Sequence, residues 1–124
     1  MKYVIVNVNS GPGTSIDSDY AKAIKNLQDK GIVTVGYVDS NYAAVNMAEV
    51  KHNIDLWRSL YSVSSHFIDQ TSSKSSDLAY YTEIYNYVKA NSTNNIIVIN
   101  PGTEPFEGIW AIIFHQMITQ NKDM

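Results

Sequence analysis

The chain predicts an α/β fold built from repeated βα units around a parallel sheet. Three observations carry that reading. Short apolar runs reach their C-terminal edges at a 31-residue interval, with Asn7, Val38, Asp69 and Asn100 at equivalent places. Helical stripes separate the runs, and strands alternating with amphipathic helices imply parallel pairing through right-handed crossovers. Three of the four edge positions are polar where a buried strand should stay apolar. In such folds the functional groups collect at the C-terminal ends of the strands, where Asn7, Asn9, Asp39, Asp69 and Asn100 lie.

The first run, from Tyr3 to Val8, is β-branched and too short for a helix, so it reads as a buried strand. Asn9-Ser-Gly-Pro-Gly13 then forces a turn. Asp17 is the N-cap of a helix that sets Tyr20, Ile24 and Leu27 on one face and closes at Gly31. Ile32 to Val38 forms the second strand. Met47, Val50, Ile54, Trp57 and Tyr61 make the clearest amphipathic stripe, with Trp57 in the core. The third strand is short, around His66 to Ile68, and ends on Asp69. After a Ser-rich loop, Asp77 caps a helix whose apolar side is Leu78, Tyr81, Ile84, Tyr85 and Val88. Asn94-Asn95 breaks that helix, Ile96 to Ile99 is the fourth strand, and Asn100 to Thr103 is the turn after it. From Phe106 onward, Trp110, Ile113, Phe114 and Met117 suggest a last helix, although Ile109 to Phe114 is apolar enough for a strand.

Residues 1–124 are expected to form a single domain, with 44% hydrophobic and 17% charged content. A net charge of −3 and the lack of any basic run argue against nucleic-acid or anionic-membrane partners. The absence of cysteine excludes disulfides, thiolate nucleophiles and Cys-based metal sites. Nine Tyr and two Trp offer flat faces with a polar handle, which suit sugars as well as core packing. Asn7 interrupts the first run before a signal-peptide core of ~7–15 residues can form, so the chain as written is expected in the cytoplasm. A family-like precursor of which it is a piece would be secreted.

Val4-Ile-Val-Asn-Val-Asn-Ser-Gly-Pro-Gly13, Gly36-Tyr-Val38, the segment Ile54 to Tyr61 leading into Phe67-Ile-Asp69, and Val98-Ile-Asn-Pro-Gly-Thr103 resemble the spherulin-4 family in order and spacing. The resemblance implies half of a (β/α)8 TIM-type barrel, four units of eight. It also implies kinship with glycoside hydrolases that cut galactosaminoglycan-type polysaccharides. In that family the strand matching Phe67 to Asp69 ends in an Asp-Glu pair, and a later strand supplies a further acid. Here Asp69 fills the first position and Gln70 the second. The family's usual Pro, Gly and nearby Arg are replaced at Val8, Ala43 and Val45, and its Asp-Gly at Ser64-Ser65. The resemblance therefore implies an eroded active site that retains glycan binding, centred on Asp69 as the residue any surviving catalysis would use.

Glycosidases commonly need two carboxyl groups, one able to stay protonated near neutral pH. Gln70 donates and accepts hydrogen bonds, which makes it a candidate substrate ligand, but it exchanges no proton. Strand neighbours also point to opposite faces, so Asp69 and Gln70 converge only if the strand ends between them. Glu104 and Glu107 are the remaining candidates for a second acid. Asn7, Asn9 and Asn100 are candidate sugar ligands, with turn chemistry as the alternative for each. Asn7 stands out because it falls inside the apolar run. Tyr37 and Tyr42 follow as candidate stacking platforms beside the second strand. The Gly11-Pro12-Gly13 loop fails the dinucleotide fingerprint, because Pro12 has no N–H and position 16 is Ile. An open-sheet flavodoxin- or Rossmann-like nucleotide or partner module is therefore the weaker alternative, beside a vestigial structural domain. His52, His66 and His115 have no ligand spacing, so neither metal nor cofactor is expected. Asn91-Ser-Thr93 fits the N-glycosylation pattern. A lone half-barrel leaves open edges and an apolar interior, so a homodimer completing the barrel, or else a truncated product of a longer gene, is expected.

Overall fold

The computed structural model describes residues 2–101. The anticipated last helix, Glu104 and Glu107 lie outside the described residues. Four strands, β1 (Tyr3–Val6), β2 (Val33–Asp39), β3 (Ser65–Thr71) and β4 (Ile97–Pro101), alternate with three helices, α1 (Ser18–Asp29), α2 (Met47–Tyr61) and α3 (Leu78–Asn91). All strand pairs are parallel and the spatial order is the chain order, β1-β2-β3-β4. Sequential order with one layer of helices is the arrangement of half a (β/α)8 barrel, in contrast to the order reversal of a doubly wound sheet.

Local signals explain most boundaries. Asp17 caps α1 through its Oδ1, which accepts from the backbone N–H groups of Asp19 and Tyr20, and Gly31 at φ +77° closes the unit. Asn46 caps α2 by accepting from Ala48 N–H, and Ser62 at φ 55° ends it. Asp77 does not cap α3 with its side chain; it accepts the Ser72 hydroxyl instead. Tyr20 also departs from the expected helix face and is 41% exposed, while Ile24 is buried.

The two faces of the sheet differ. The helix side carries Val6, Gly36, His66 and Ile97 in one row across the four strands, and Val38, Ile68 and Ile99 in the next. Most of these residues join Ile24, Val50, Ile54, Trp57, Tyr61, Ile84, Tyr85 and Val88 in a single buried cluster. His66 is fully buried there, and neither ring nitrogen has a hydrogen-bond partner. Burial pushes its pKa down to about 4, against the partial pull of the Gly36 carbonyl. The opposite face has no helix among the described residues. Tyr3 and Ile5 are about half exposed there, and Val98 is 41% exposed.

β1 ends at Val6, earlier than the apolar run suggests, and β3 runs to Thr71, beyond the expected stop at Asp69. The longer β3 has a specific cause. Gln70 adopts a left-handed φ of 51°, and the register with β4 shifts between Asp69 and Thr71. A bulge absorbs one residue and lets pairing resume.

Candidate functional site

At the C-terminal end of the sheet, Asp39, Asp69 and Asn100 stand in one row across β2, β3 and β4. The 31-residue interval placed Val38 in that row; the register puts Asp39 there and turns Val38 into the helix-side core. The spacing from β2 to β3 is one residue shorter than that from β3 to β4, and alternation converts that single residue into a change of face.

Asp69 is the centre of the polar cluster. Its Oδ2 accepts the Tyr37 hydroxyl at 2.9 Å and its Oδ1 accepts Asn100 Nδ2 at 2.9 Å. Burial alone pushes the carboxyl up, but hydrogen bonds from Tyr37, the Gln70 backbone N–H and Asn100 outweigh it and hold Asp69 below the usual carboxylate range. Tyr37 is the reciprocal case: partial burial, its bond to Asp69 and the nearby Asp39 charge push its pKa up to about 12. The hydroxyl is a fixed donor and the carboxylate a fixed anion near neutral pH. The Tyr37 ring also stacks on Phe67, with centroids 6.1 Å apart, so Tyr37 is engaged on its own sheet face as well as at the carboxylate.

Ser40, fully buried, ties the backbone beneath the site. Its hydroxyl donates toward the carbonyls of Asp69 at 2.9 Å and Gln70 at 3.0 Å, and pairs with the Tyr81 hydroxyl at 2.9 Å. Its own N–H donates to the Asp69 carbonyl. The bulge at Gln70 is therefore held from β2. It also breaks the simple alternation that would send neighbours on β3 to opposite faces. Gln70 is half-buried.

The other expected ligands divide. Asn7 lies just beyond β1, and its Oδ1 accepts Gly11 N–H at 2.8 Å, so a turn bond accounts for an asparagine inside an apolar run. Asn9 is exposed, and its N–H and that of Val8 both donate to the Gly11 carbonyl. The Val8, Asn9 and Gly11 amides are engaged and Pro12 lacks one, so none of these four residues has a free N–H for a phosphate. Tyr42 is 42% exposed and belongs to a turn, Asn41–Ala43, whose three residues all have positive φ. Asp39 Oδ1 braces that turn by accepting Asn41 N–H at 2.8 Å. Asp39 was expected at the strand ends but not in the row with Asp69, because the assumed interval put Val38 there, one residue off. Among the described residues no group of three or more His, Asp or Glu is placed to hold a metal ion, and no helix is long and apolar enough to cross a membrane.

The sequence profile of Spherulation-specific family 4 matches residues 1–120. The chain belongs to that family. It is 38% identical over 110 residues to spherulin-4 of Physarum polycephalum, covering 87% of this chain and 33% of that protein. It superposes on the crystal structure of Aspergillus clavatus Sph3 in complex with GalNAc with a TM-score of 0.74 and 28% identity, covering 88% of this chain and 49% of Sph3. The chain thus spans about one third of spherulin-4 and about half of Sph3. Family and fold together make it a spherulin-4 family α/β domain.

Proposed function

We propose that this spherulin-4 family domain binds a galactosaminoglycan-type glycan at the C-terminal end of its sheet, with hydrolysis weakened or lost. The carrying observation is the Asp69 carboxylate with both oxygens occupied by Tyr37 and Asn100 donors. A carboxylate held ionised in this way suits two tasks, accepting hydrogen bonds from sugar hydroxyls and stabilising positive charge. It does not suit the task of a general acid, which needs a carboxyl that stays protonated. The adjacent Gln70 side chain supplies no proton either. Among the described residues, Asp39 is the second carboxyl that shares the row with Asp69. Support for the sugar class comes from family membership and from the GalNAc seen in the Sph3 crystal. Asn100 and Tyr37 are the proposed ligand-side neighbours of Asp69, and Tyr42 an exposed platform beside them.

The test is calorimetric titration with GalNAc oligosaccharides, run beside a reducing-end release assay on galactosaminoglycan polymer. Binding that is lost in Asp69→Asn, with no release of ends, fits the reading. Turnover lost in Asp69→Asn would instead make the domain a working hydrolase, and an absence of binding would end the proposal.

A second part of the reading concerns the open face, with its exposed Tyr3, Ile5 and Val98. Two copies facing each other would supply eight strands and cover that surface. Light scattering reads this directly: twice the chain mass is the expected result, and a monodisperse monomer excludes it.

A further inference from the structure

We infer that Trp57, a core residue of α2, is a positioning residue for Asp69 and acts through the backbone of Tyr37. The inference deepens the proposed glycan site, since it concerns how the carboxylate at its centre is held. It starts where β1 stops. Val6 pairs with Gly36 in the last β1–β2 rung, so Tyr37 lies beyond the reach of β1. A backbone carbonyl that loses its strand partner must find another donor or stay wet. The Trp57 indole provides one, with Nε1–H donating to the Tyr37 carbonyl at 2.9 Å. Gly11, in the loop that follows β1, lies against the same carbonyl.

Gly36 makes this approach feasible. A Cβ at that position would stand 2.8 Å from Cδ2 and Cε2 of Trp57, closer than real Cβ contacts come. The fully buried indole therefore lies flat on bare backbone at Gly36 and hydrogen-bonds the next residue. The Tyr37 side chain leaves on the other face, where it stacks on Phe67 and donates to Asp69 Oδ2. One residue thus has its backbone fixed from the helix side and its hydroxyl fixing a carboxylate on the open side. An ordinary packing role for Trp57 would need its apolar area but not its N–H.

The experiment compares wild type, Tyr37→Phe and Trp57→Phe by NMR titration of the Asp69 side-chain carboxyl carbon. All three are made in an Asp39→Asn background, which keeps the acceptor for Asn41 while leaving Asp69 as the titrating carboxylate of the row. Loss of the Tyr37 hydroxyl should raise the Asp69 midpoint toward the ordinary value. Trp57→Phe, which keeps an aromatic body and drops the N–H, should raise it in the same direction by a smaller amount. A folded Trp57→Phe with an unmoved midpoint overturns the inference. Should that variant not fold, a Trp110→Phe protein, whose remaining indole is Trp57, provides the reading. Its Nε1–H cross-peak should shift with the Asp69 midpoint, and a cross-peak indifferent to that ionisation overturns the inference equally. GalNAc oligosaccharide affinity, measured on the same proteins, should fall in the order in which the midpoints rise. If no protein binds the sugar while the midpoints still move, the glycan reading fails and the positioning role stands.

Discussion

The two faces of the sheet are built from the same four strands and obey opposite rules. On the helix side every row is filled, a tryptophan lies flat on a glycine, and a histidine is buried with no partner for either nitrogen. On the open side, Tyr3, Ile5 and Val98 stand about half in solvent, and the polar groups satisfy one another through Tyr37, Asp69 and Asn100. Packing fixes the first face and hydrogen bonds fix the second. Substitutions on the helix side should therefore be costly in stability, whereas those on the open side should be cheap in stability and costly in binding.

The largest expected effect is at Trp57. Trp57→Ala removes a fully buried aromatic from the centre of the cluster and should cost about 3–5 kcal/mol by urea denaturation, enough to endanger folding. A loss under about 1 kcal/mol would mean that the helix side is not the stabilising face. Acid comes next. His66 has a folded-state pKa near 4 against an ordinary 6.5, so the folded form resists a proton that the unfolded chain accepts. Its contribution is fully present above about pH 6.5 and is lost as pH falls toward 4, amounting to about 3 kcal/mol at ~1.4 kcal/mol per pKa unit. Denaturation midpoints measured across that window should fall with pH in the wild type and flatten in His66→Leu. A smaller effect, about 1–3 kcal/mol, is expected for Gly36→Ala, because the added methyl meets the indole. The same substitution should also disturb the Asp69 titration. The smallest is Ile5→Ser on the open face, within about 0.5 kcal/mol for an isolated copy. A larger loss that depends on protein concentration would show that a second copy covers this face.

Legibility from sequence followed the same division. Helix-side positions announced themselves through periodicity: Val50, Ile54, Trp57 and Tyr61 on α2, and Tyr81, Ile84, Tyr85 and Val88 on α3, are all buried as their spacing implies. Asp17 was legible as a cap because its mechanism is local. Asp69 and Asn100 were legible at the strand ends, and the structure joins them. What escaped reading was register and backbone. A shift of one residue moved Asp39 into the row and Val38 out of it. The bulge at Gln70 depends on what β4 and Ser40 offer across the sheet, which no window around Gln70 contains. Asn7 shows the converse: its partner Gly11 is only four residues away, and the turn bond expected as its alternative role is formed. Trp57 was correctly a core residue, but its N–H acts on a carbonyl twenty residues earlier, and apolar periodicity carries no information about a donor.

The left-handed bend at position 70 has a consequence for how the domain can change over generations. A glutamine and a glutamate pay the same conformational cost at φ 51°, because the penalty falls on the Cβ that both possess. Their codons differ by a single first-position base. The backbone there is thus indifferent to whether the side chain carries an amide or an acid. A lineage can gain or discard a proton-exchanging group beside Asp69 in one mutational step, without refolding anything around it.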